Sequence, residues 1–305
     1  MNDPILNIIQ SETMDPPARV IELMNIIRTR HENRIQAFIY YGSSLRELDN
    51  PKKMLDFYVL VDSYRKTHKN PIRAWLNKLI PPAVYYLEHI DKDNILSTCK
   101  YSIISLPEFE KKCGKAAFLS QVWGRFSQPC ILLGARSEAE QNRIFKARVK
   151  AVKYMASQTA PLIDAPVSAA EFWGRGFYES YRTEIRPESS VGRSAEIVST
   201  FESRYAALTT ALYGEPNENG LYTISQSSQS ACKRKWLLRR IVGKPVAAIR
   251  IINSAATFDG GLDYILRKIK NHSGVSLEPT KFQRKHSVLC SPVLAWKLWR
   301  MGAFK

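Results

Sequence analysis

The stretch FIYYGSSLRELDNPKKMLDFYVLVD, residues 38–62, decides how the rest of the chain is interpreted. It contains two short apolar runs, residues 38–41 and 54–61, that are rich in aromatic and β-branched side chains. A polar connection that begins with Gly42, Ser43 and Ser44 joins them. Runs of this length and composition, bounded by turn residues, predict two buried β-strands.

The turn and the second run together indicate a phosphate-binding site. The second run carries a carboxylate, Asp56, and a carboxylate inside a buried strand is costly unless it is paired or bound to a metal. Gly42 lets the backbone approach a ligand closely, and backbone N–H groups with the Ser43 hydroxyl can hold a phosphate. A glycine-serine turn followed by a strand that carries an acid is typical of the nucleotidyltransferase fold. Many other strand-turn-strand units match this pattern by chance, so further segments are needed.

Nucleotidyl transfer needs divalent metal to neutralise developing charge, and magnesium favours carboxylates together with phosphate oxygens. Asp56 suits this task. Many nucleotidyltransferases carry a second acid two residues after the first, but here that position is Tyr58. Strand alternation puts Asp62, six residues after Asp56, on the same face, but past the expected strand end. The second metal ligand is therefore either Asp62 or a more distant acid such as Glu184.

Composition limits the class of partner. The chain has 305 residues and a net charge of +17, which predicts a nucleotide, a nucleic acid or a negative membrane surface as partner. The five cysteines are odd in number and form no C-x-x-C pair, so we expect reduced thiols and no zinc site. The sequence contains no run of about 18 apolar residues, so we expect no transmembrane segment.

The order of elements predicts an α+β protein in three parts. Residues 1–106 are expected to form a nucleotidyltransferase-fold domain, a mixed sheet with helices. A mostly helical domain, in one reading a winged-helix domain, follows over residues 107–214. Within it, Ser137 and Glu140 predict a capping box for a long basic helix. Residues 215–305 form the third part, a basic helical C-terminal region.

The C-terminal region mixes basic and apolar residues in two stretches. Residues 233–240, KRKWLLRR, and residues 296–301, WKLWRM, each place lysine or arginine beside tryptophan. Such helices can lie on an anionic bilayer, where tryptophan favours the interfacial layer. The alternative is two core helices whose basic faces are solvated. Contact with a membrane surface is the interpretation that we favour.

The segments YGSS, MLDFYVLVD, HKNP, AVYYLE, KYSIIS and WGRFSQP occur in this order along the chain. Their order resembles the mitochondrial translocator assembly and maintenance protein family, which are peripheral CDP-diacylglycerol synthases, and the bacterial relatives of that family. Residues 181–186 look like the later Y-x-G-D-x-R segment of the family. The resemblance covers roughly residues 36 to 190, and support beyond residue 220 is much weaker.

The resemblance implies phosphatidate cytidylyltransferase activity. CTP and phosphatidic acid would give CDP-diacylglycerol and pyrophosphate with magnesium as cofactor. It implies catalytic roles for Asp56 and Ser43. The other roles that we assign on matching or neighbouring positions are nucleotide binding by Gly42, Ser43, Ser44, Lys100 and Tyr101, phosphate or lipid-headgroup binding by Arg125, Arg182 and Arg186, and metal binding by Asp56, Asp62 and Glu184.

The sequence also departs from the family pattern. Ser44 and Ser102 replace glycines, Gln128 stands where the family has lysine, and Glu184 replaces aspartate. These departures fit a distant bacterial-type branch and leave the nucleotide preference open. For such a protein we expect a cytoplasmic location, peripheral on the inner face of the cell membrane, and a lipid acceptor in preference to nucleic acid.

Two alternatives use the same residues. One is a nucleotidyltransferase that acts on RNA or on a small molecule, for which the basic tail would bind nucleic acid phosphates. The other is a non-catalytic basic adaptor on this fold, which Tyr58 in place of the second acid would allow.

Overall fold

A computed structural model describes residues 3–47, 50, 53–68, 70–92, 94–164, 166–185, 190–224, 229–257, 261–285 and 287–303. The chain is an α+β protein with one five-stranded mixed sheet and many helices, as the sequence predicts. The strands of the sheet are β1 (Ile35–Tyr41), β2 (Leu55–Val61), β3 (Ala83–Ile90), β4 (Leu96–Ser105) and β5 (Cys130–Ala135).

Helices occupy most of the remaining described chain, and two short 3-10 helices, Ser43–Arg46 and Ala160–Leu162, accompany them. The α-helices are α1 (Pro4–Gln10), α2 (Ala18–Arg30), α3 (Tyr64–Thr67), α4 (Pro71–Leu79), α5 (Leu106–Lys112), α6 (Trp123–Phe126), α7 (Glu138–Thr159), α8 (Ala169–Tyr181), α9 (Ser190–Thr200), α10 (Glu202–Tyr213), α11 (Gln229–Thr257), α12 (Gly261–Ser273), α13 (Lys281–Lys285) and α14 (Ser287–Arg300).

The strand order in the sheet is β3-β4-β2-β1-β5. β2 and β4 run parallel, and the other neighbouring pairs are antiparallel. The register places Tyr41 at the end of β1 opposite Asp56 near the start of β2, and it places Lys100 of β4 on the other side of Asp56. One row across the sheet therefore carries these three side chains on the same face.

The two faces of the sheet have separate cores because side chains alternate along each strand. On one face, Phe38, Tyr40 and Phe57 pack with the buried side of α2, as the spacing of apolar residues in that helix predicts. On the other face, Tyr41 and Tyr58 join a larger core that includes residues of α5 to α8. The Asp56 side chain belongs to this second face.

The expected boundary after residue 106 does not separate two cores in the described part of the chain. β5 lies beyond this boundary, within a part expected to be mostly helical, and it pairs with β1 at the edge of the sheet. The long basic helix α7 is present, and the Ser137 side chain caps it by accepting from the Glu140 N–H. The carboxylate of Glu140 bonds instead to Gln36 of β1, so the capping box is only half formed.

The C-terminal region begins with α11, which packs against the rest of the chain on one side. Trp236 is buried against Trp123, and the buried Arg239 donates to the Phe118 carbonyl oxygen. The opposite side of this helix is exposed and carries apolar side chains, with Leu238 53% and Ile241 60% accessible, beside the exposed Arg234. The helix therefore has a core side and an outer side that mixes apolar and basic residues.

The last helix also shows an exposed apolar surface. Leu294 and Leu298 of α14 are buried against α12, whereas Trp296 and Trp299 are exposed. In the described part of the chain, no helix combines the length and the apolar character that crossing a bilayer requires.

Candidate active site

Gly42 and Asp56 touch at the end of β1. Gly42 has φ +94° and ψ −163°, a conformation open to almost no residue except glycine. A Cβ atom at this position would lie 2.9 Å from Asp56 Oδ2. The turn therefore needs glycine for its backbone angles and for the space that the Asp56 carboxylate fills.

The turn residues differ in accessibility. Gly42 and Ser43 are partly exposed, and Ser43 begins a 3-10 helix that starts directly at the carboxylate. The Ser44 side chain is fully buried beneath the turn. Gly42 and Ser43 are therefore the turn residues that a phosphate group can reach.

Lys100 is brought to the same row as Asp56. The two residues are direct partners in the parallel pairing of β2 with β4, and neighbouring strands lie about 4.8 Å apart. Both side chains project from the face that carries Tyr41 and Tyr58. The Lys100 side chain is partly accessible, so the predicted lysine and carboxylate share one end of the site.

Arg125 reaches this face from α6. Its guanidinium carbon lies 4.9 Å from the centre of the Tyr41 ring, and Nη2 lies 3.9 Å from Glu184 Oε2. Burial disfavours the charged form, but Tyr41, Tyr58 and Glu184 outweigh it and raise the pKa of Arg125. Arg125 therefore stays charged in an enclosed position beside β1.

Close helix packing fixes this arginine. A Cβ on the preceding Gly124 would lie 2.4 Å from the Ser180 hydroxyl, so α6 sits directly against α8. The Ser120 hydroxyl also lies 3.0 Å from that of Thr183, the residue before Glu184. These contacts explain why sequence segments almost 60 residues apart, around 124 and 184, form one site.

α11 contributes a further arginine, Arg250, which the sequence patterns did not predict as a site residue. Arg250 interacts electrostatically with Tyr58, Glu184 and Arg125. Burial lowers the pKa of Arg250, and the like charge of Arg125 also lowers it. The signal in the sequence is a single arginine within an apolar helical run, AAIRII at residues 247–252.

Asp62 is separated from the site. It follows β2 at the far end from Asp56, and six residues of strand span about 20 Å. Its carboxylate lies 3.6 Å from Nη1 of Arg34. The expectation that Asp62 shares a metal with Asp56 is therefore corrected, because correct strand alternation does not make the two carboxylates neighbours along the strand.

Tyr101 lies on the opposite face from the site. Its side chain is fully buried in the core beside α2, and its hydroxyl is 3.2 Å from Nε2 of His31. Adjacent strand residues point to opposite faces, so Lys100 and Tyr101 cannot both face one ligand. The expected nucleotide contact of Tyr101 is corrected to a structural role.

Of the two predicted arginines after α8, Arg182 lies in the described part of the chain. Arg182 lies 3.7 Å from Glu179 and over the ring of Tyr178 on its own helix, so its contacts hold the end of α8. Arg186 lies outside the described residues. Of the predicted headgroup contacts, the structure brings Arg125 to the row of Asp56.

The side chains of the site decide whether it can hold magnesium. In the part of the chain that the structure describes, no three histidine, cysteine, aspartate or glutamate side chains converge as metal ligands. Magnesium commonly binds one or two carboxylates and completes its coordination with substrate phosphates and water. Asp56, directly beside the Gly42 turn, fits that arrangement. Glu184 lies near Arg125, where it can orient the guanidinium.

Comparisons with protein-family models and with curated proteins were made for the whole chain. No protein-family model matches this chain, and no curated protein matches it at a significant level. The case for a function therefore depends on the motifs and on the geometry of the site.

Proposed function

We propose that this protein is a magnesium-dependent phosphatidate cytidylyltransferase with a nucleotidyltransferase-fold core. It would transfer CMP from CTP to phosphatidic acid and release pyrophosphate. The observation that carries the proposal is the contact between the Asp56 carboxylate and Gly42, with Lys100 beside it in the sheet. This arrangement supports a turn that binds phosphates next to a carboxylate that binds their metal.

The reaction joins two anions, and this fact sets what the site must supply. An oxygen of the lipid phosphate attacks the α-phosphorus of CTP, and a new P–O bond forms. The bond from that phosphorus to the bridging oxygen breaks, and pyrophosphate leaves with the electron pair. The lipid phosphate is already anionic, so no base is needed to activate it. Positioning and charge stabilisation would supply most of the catalysis.

The residues of the site divide these tasks. Backbone N–H groups at Gly42 and Ser43 would hold phosphate oxygens of CTP, and Lys100 would offset charge on the same row. Arg125, oriented by Glu184, would bind phosphate from the neighbouring helix. Magnesium, when bound, would neutralise part of the triphosphate charge, and Asp56 is the side chain that would hold it.

Surface features support a lipid acceptor. Exposed apolar side chains on α11 and α14 adjoin lysines and arginines, a combination that suits an anionic bilayer surface. Each basic residue near such a surface contributes about 1 kcal/mol. We infer a peripheral protein on the inner, cytoplasmic face of the cell membrane. The net charge of +17 supports anionic partners of this kind.

The test is incorporation of α-labelled nucleotide into lipid. Purified protein is mixed with magnesium, phosphatidic-acid vesicles and each of CTP, ATP, GTP and UTP in turn. We expect a labelled chloroform-soluble product with CTP, a loss of about 100-fold or more in Asp56→Asn, and near-normal turnover in Asp62→Asn. The two variants remove a carboxylate from opposite ends of one strand, so the second controls for the first.

Other outcomes would point elsewhere. Full activity in Asp56→Asn would overturn the site assignment. Folded protein that labels RNA or a small molecule, but no lipid, would favour a nucleotidyltransferase with that acceptor. Absence of any magnesium-dependent CTP binding would favour a non-catalytic adaptor.

A further inference from the structure

A cavity lies between α5, the segment before α6, and α11. Its volume is about 330 Å³, near the lower end of the range for ligand pockets. Three cations line it, Lys111, Lys112 and Arg250, and Glu108 is the acid among the lining residues. Glu108 already lies 3.3 Å from Lys112. The charge of this cavity therefore favours an anion.

Arg250 connects this cavity to the candidate active site. It lines the cavity, and it interacts electrostatically with Glu184 and with Arg125, the arginine that lies over the Tyr41 ring. The like charges of Arg125 and Arg250 create repulsion, which also lowers the pKa of Arg250. A bound phosphate dianion would remove it, because a guanidinium binds phosphate oxygens with two parallel hydrogen bonds.

The rim of the cavity is apolar on the side of α11. Phe118 and Val242 both line the cavity and are both exposed. Val242 continues into the exposed apolar side of α11, which includes Leu238 and Ile241. A ligand with a charged head and an apolar tail would therefore find cations inside the cavity and apolar side chains at its edge.

Tight packing holds α11 in this position. A Cβ on Gly243 would lie 2.3 Å from the Thr183 carbonyl oxygen, so the helix backbone directly contacts the segment that carries Glu184. Gly243 lies about two helical turns before Arg250. The position of the arginine and the position of Glu184 are thus set by the same helix contact.

We propose that the cavity between α5 and α11 binds the phosphate monoester of the acceptor lipid, and that Arg250 holds this phosphate toward the site. The inference rests on the proposed function for the identity of the acceptor. It adds a phosphate-binding residue from the C-terminal region, and it gives the exposed side of α11 a role in receiving the acyl chains.

The experiment measures binding and turnover separately. Water-soluble dihexanoyl phosphatidic acid and, separately, pyrophosphate are titrated into wild-type protein by calorimetry, without CTP. The variants are Arg250→Gln, Arg250→Lys and Arg267→Gln. Arg267, which is 57% exposed on α12, serves as the matched surface control. The KM values for CTP and for the lipid are measured in parallel.

We expect Arg250→Gln to weaken phosphatidic-acid binding about 10-fold or more, as loss of a charge-assisted contact should. Arg250→Lys should recover part of this loss, Arg267→Gln should bind normally, and the KM for CTP should stay within about twofold. If the protein makes no lipid product but still binds phosphatidic acid through Arg250, the subsite is supported and the proposed reaction is refuted. Equal lipid binding by wild type and Arg250→Gln, or a loss confined to pyrophosphate, would overturn the subsite.

Discussion

The contact between Gly42 and Asp56 gives the sharpest prediction, because a second glycine separates the cost of the backbone conformation from the cost of the clash with Asp56. Gly214, just after α10, has φ +90° and ψ −175°, almost the same backbone conformation as Gly42 at +94° and −163°. A Cβ at Gly214 meets no atom within 4 Å, whereas a Cβ at Gly42 would lie 2.9 Å from Asp56 Oδ2.

Alanine at position 42 and alanine at position 214 should therefore lower the free energy of unfolding by different amounts. Both substitutions force a side chain into a conformation that costs about 1–3 kcal/mol. Gly42→Ala must also displace the Asp56 carboxylate, and overpacking of this kind costs about 1–3 kcal/mol more. We expect the second cost to disappear when Asp56 is alanine, because the clash with Oδ2 is then gone.

Urea unfolding of a double-mutant cycle measures this coupling. The six tryptophans provide the fluorescence signal, and Gly42→Ala, Asp56→Ala and the double variant are compared with Gly214→Ala. Equal costs for Gly42→Ala and Gly214→Ala, with no coupling between residues 42 and 56, would refute the contact. A further expectation is that Gly42→Ala lowers turnover more than Gly214→Ala does.

Three other predictions concern helix packing, pH-dependent stability and binding to lipid vesicles. Gly243→Ala should destabilise the protein by about 1–3 kcal/mol and lower turnover, because the new Cβ meets the Thr183 carbonyl oxygen at 2.3 Å. The matched helical change Gly174→Ala has open space and should be neutral or stabilising. Burial lowers the pKa of His68 from 6.5 to about 4. As the pH falls, His68 therefore binds a proton in the unfolded chain before it does so in the folded protein. Stability should fall by up to about 3 kcal/mol between pH 6.5 and 4, and urea midpoints should show a weaker loss in His68→Gln. Ile241→Glu should reduce co-sedimentation with phosphatidic-acid vesicles while its unfolding midpoint stays near that of wild type.

Local sequence signals predicted the central strands and the turn well. The apolar runs around Gly42 and Asp56 are short, bounded by turn residues, and separated by a polar connection. The α+β class is confirmed for the same reason, since the periodicities of strand and helix are local properties. The juxtaposition of the turn and the carboxylate follows from antiparallel pairing in the register that puts Tyr41 opposite Asp56.

Features that depend on distant packing were not predictable in this way. β5 begins as a short apolar run between Pro129 and Gly134, but its place beside β1 comes from sheet pairing across about 90 residues of chain. Exposure is equally non-local. The face of α4 that carries Ile72, Trp75 and Leu79 has the spacing of a buried face, yet these side chains are exposed. Periodicity identifies an apolar face but not what covers it.

The errors at the site come from geometry that local sequence patterns do not contain. Alternation along a strand gives no distance, and Asp62 lies beyond the far end of β2, where its carboxylate meets Arg34. Alternation also excludes a ligand contact by Tyr101 once Lys100 is assigned to the face of Asp56. Arg250 was missed because a single arginine in a helix has no pattern of its own, and its role depends on where α11 packs.

The packing of α11 changes how the basic C-terminal region should be understood. A purely membrane-bound helix would present one apolar side to lipid and a charged side to water. α11 has instead a buried side with Trp236 and Arg239, a backbone contact at Gly243, and an apolar outer side around Ile241. One of the two proposed substrates is soluble and highly charged, and the other is held in a bilayer. In the proposed reaction, a helix that contributes Arg250 to the site and apolar side chains to the surface would lie between these two environments, so membrane contact and assembly of the site would depend on the same element.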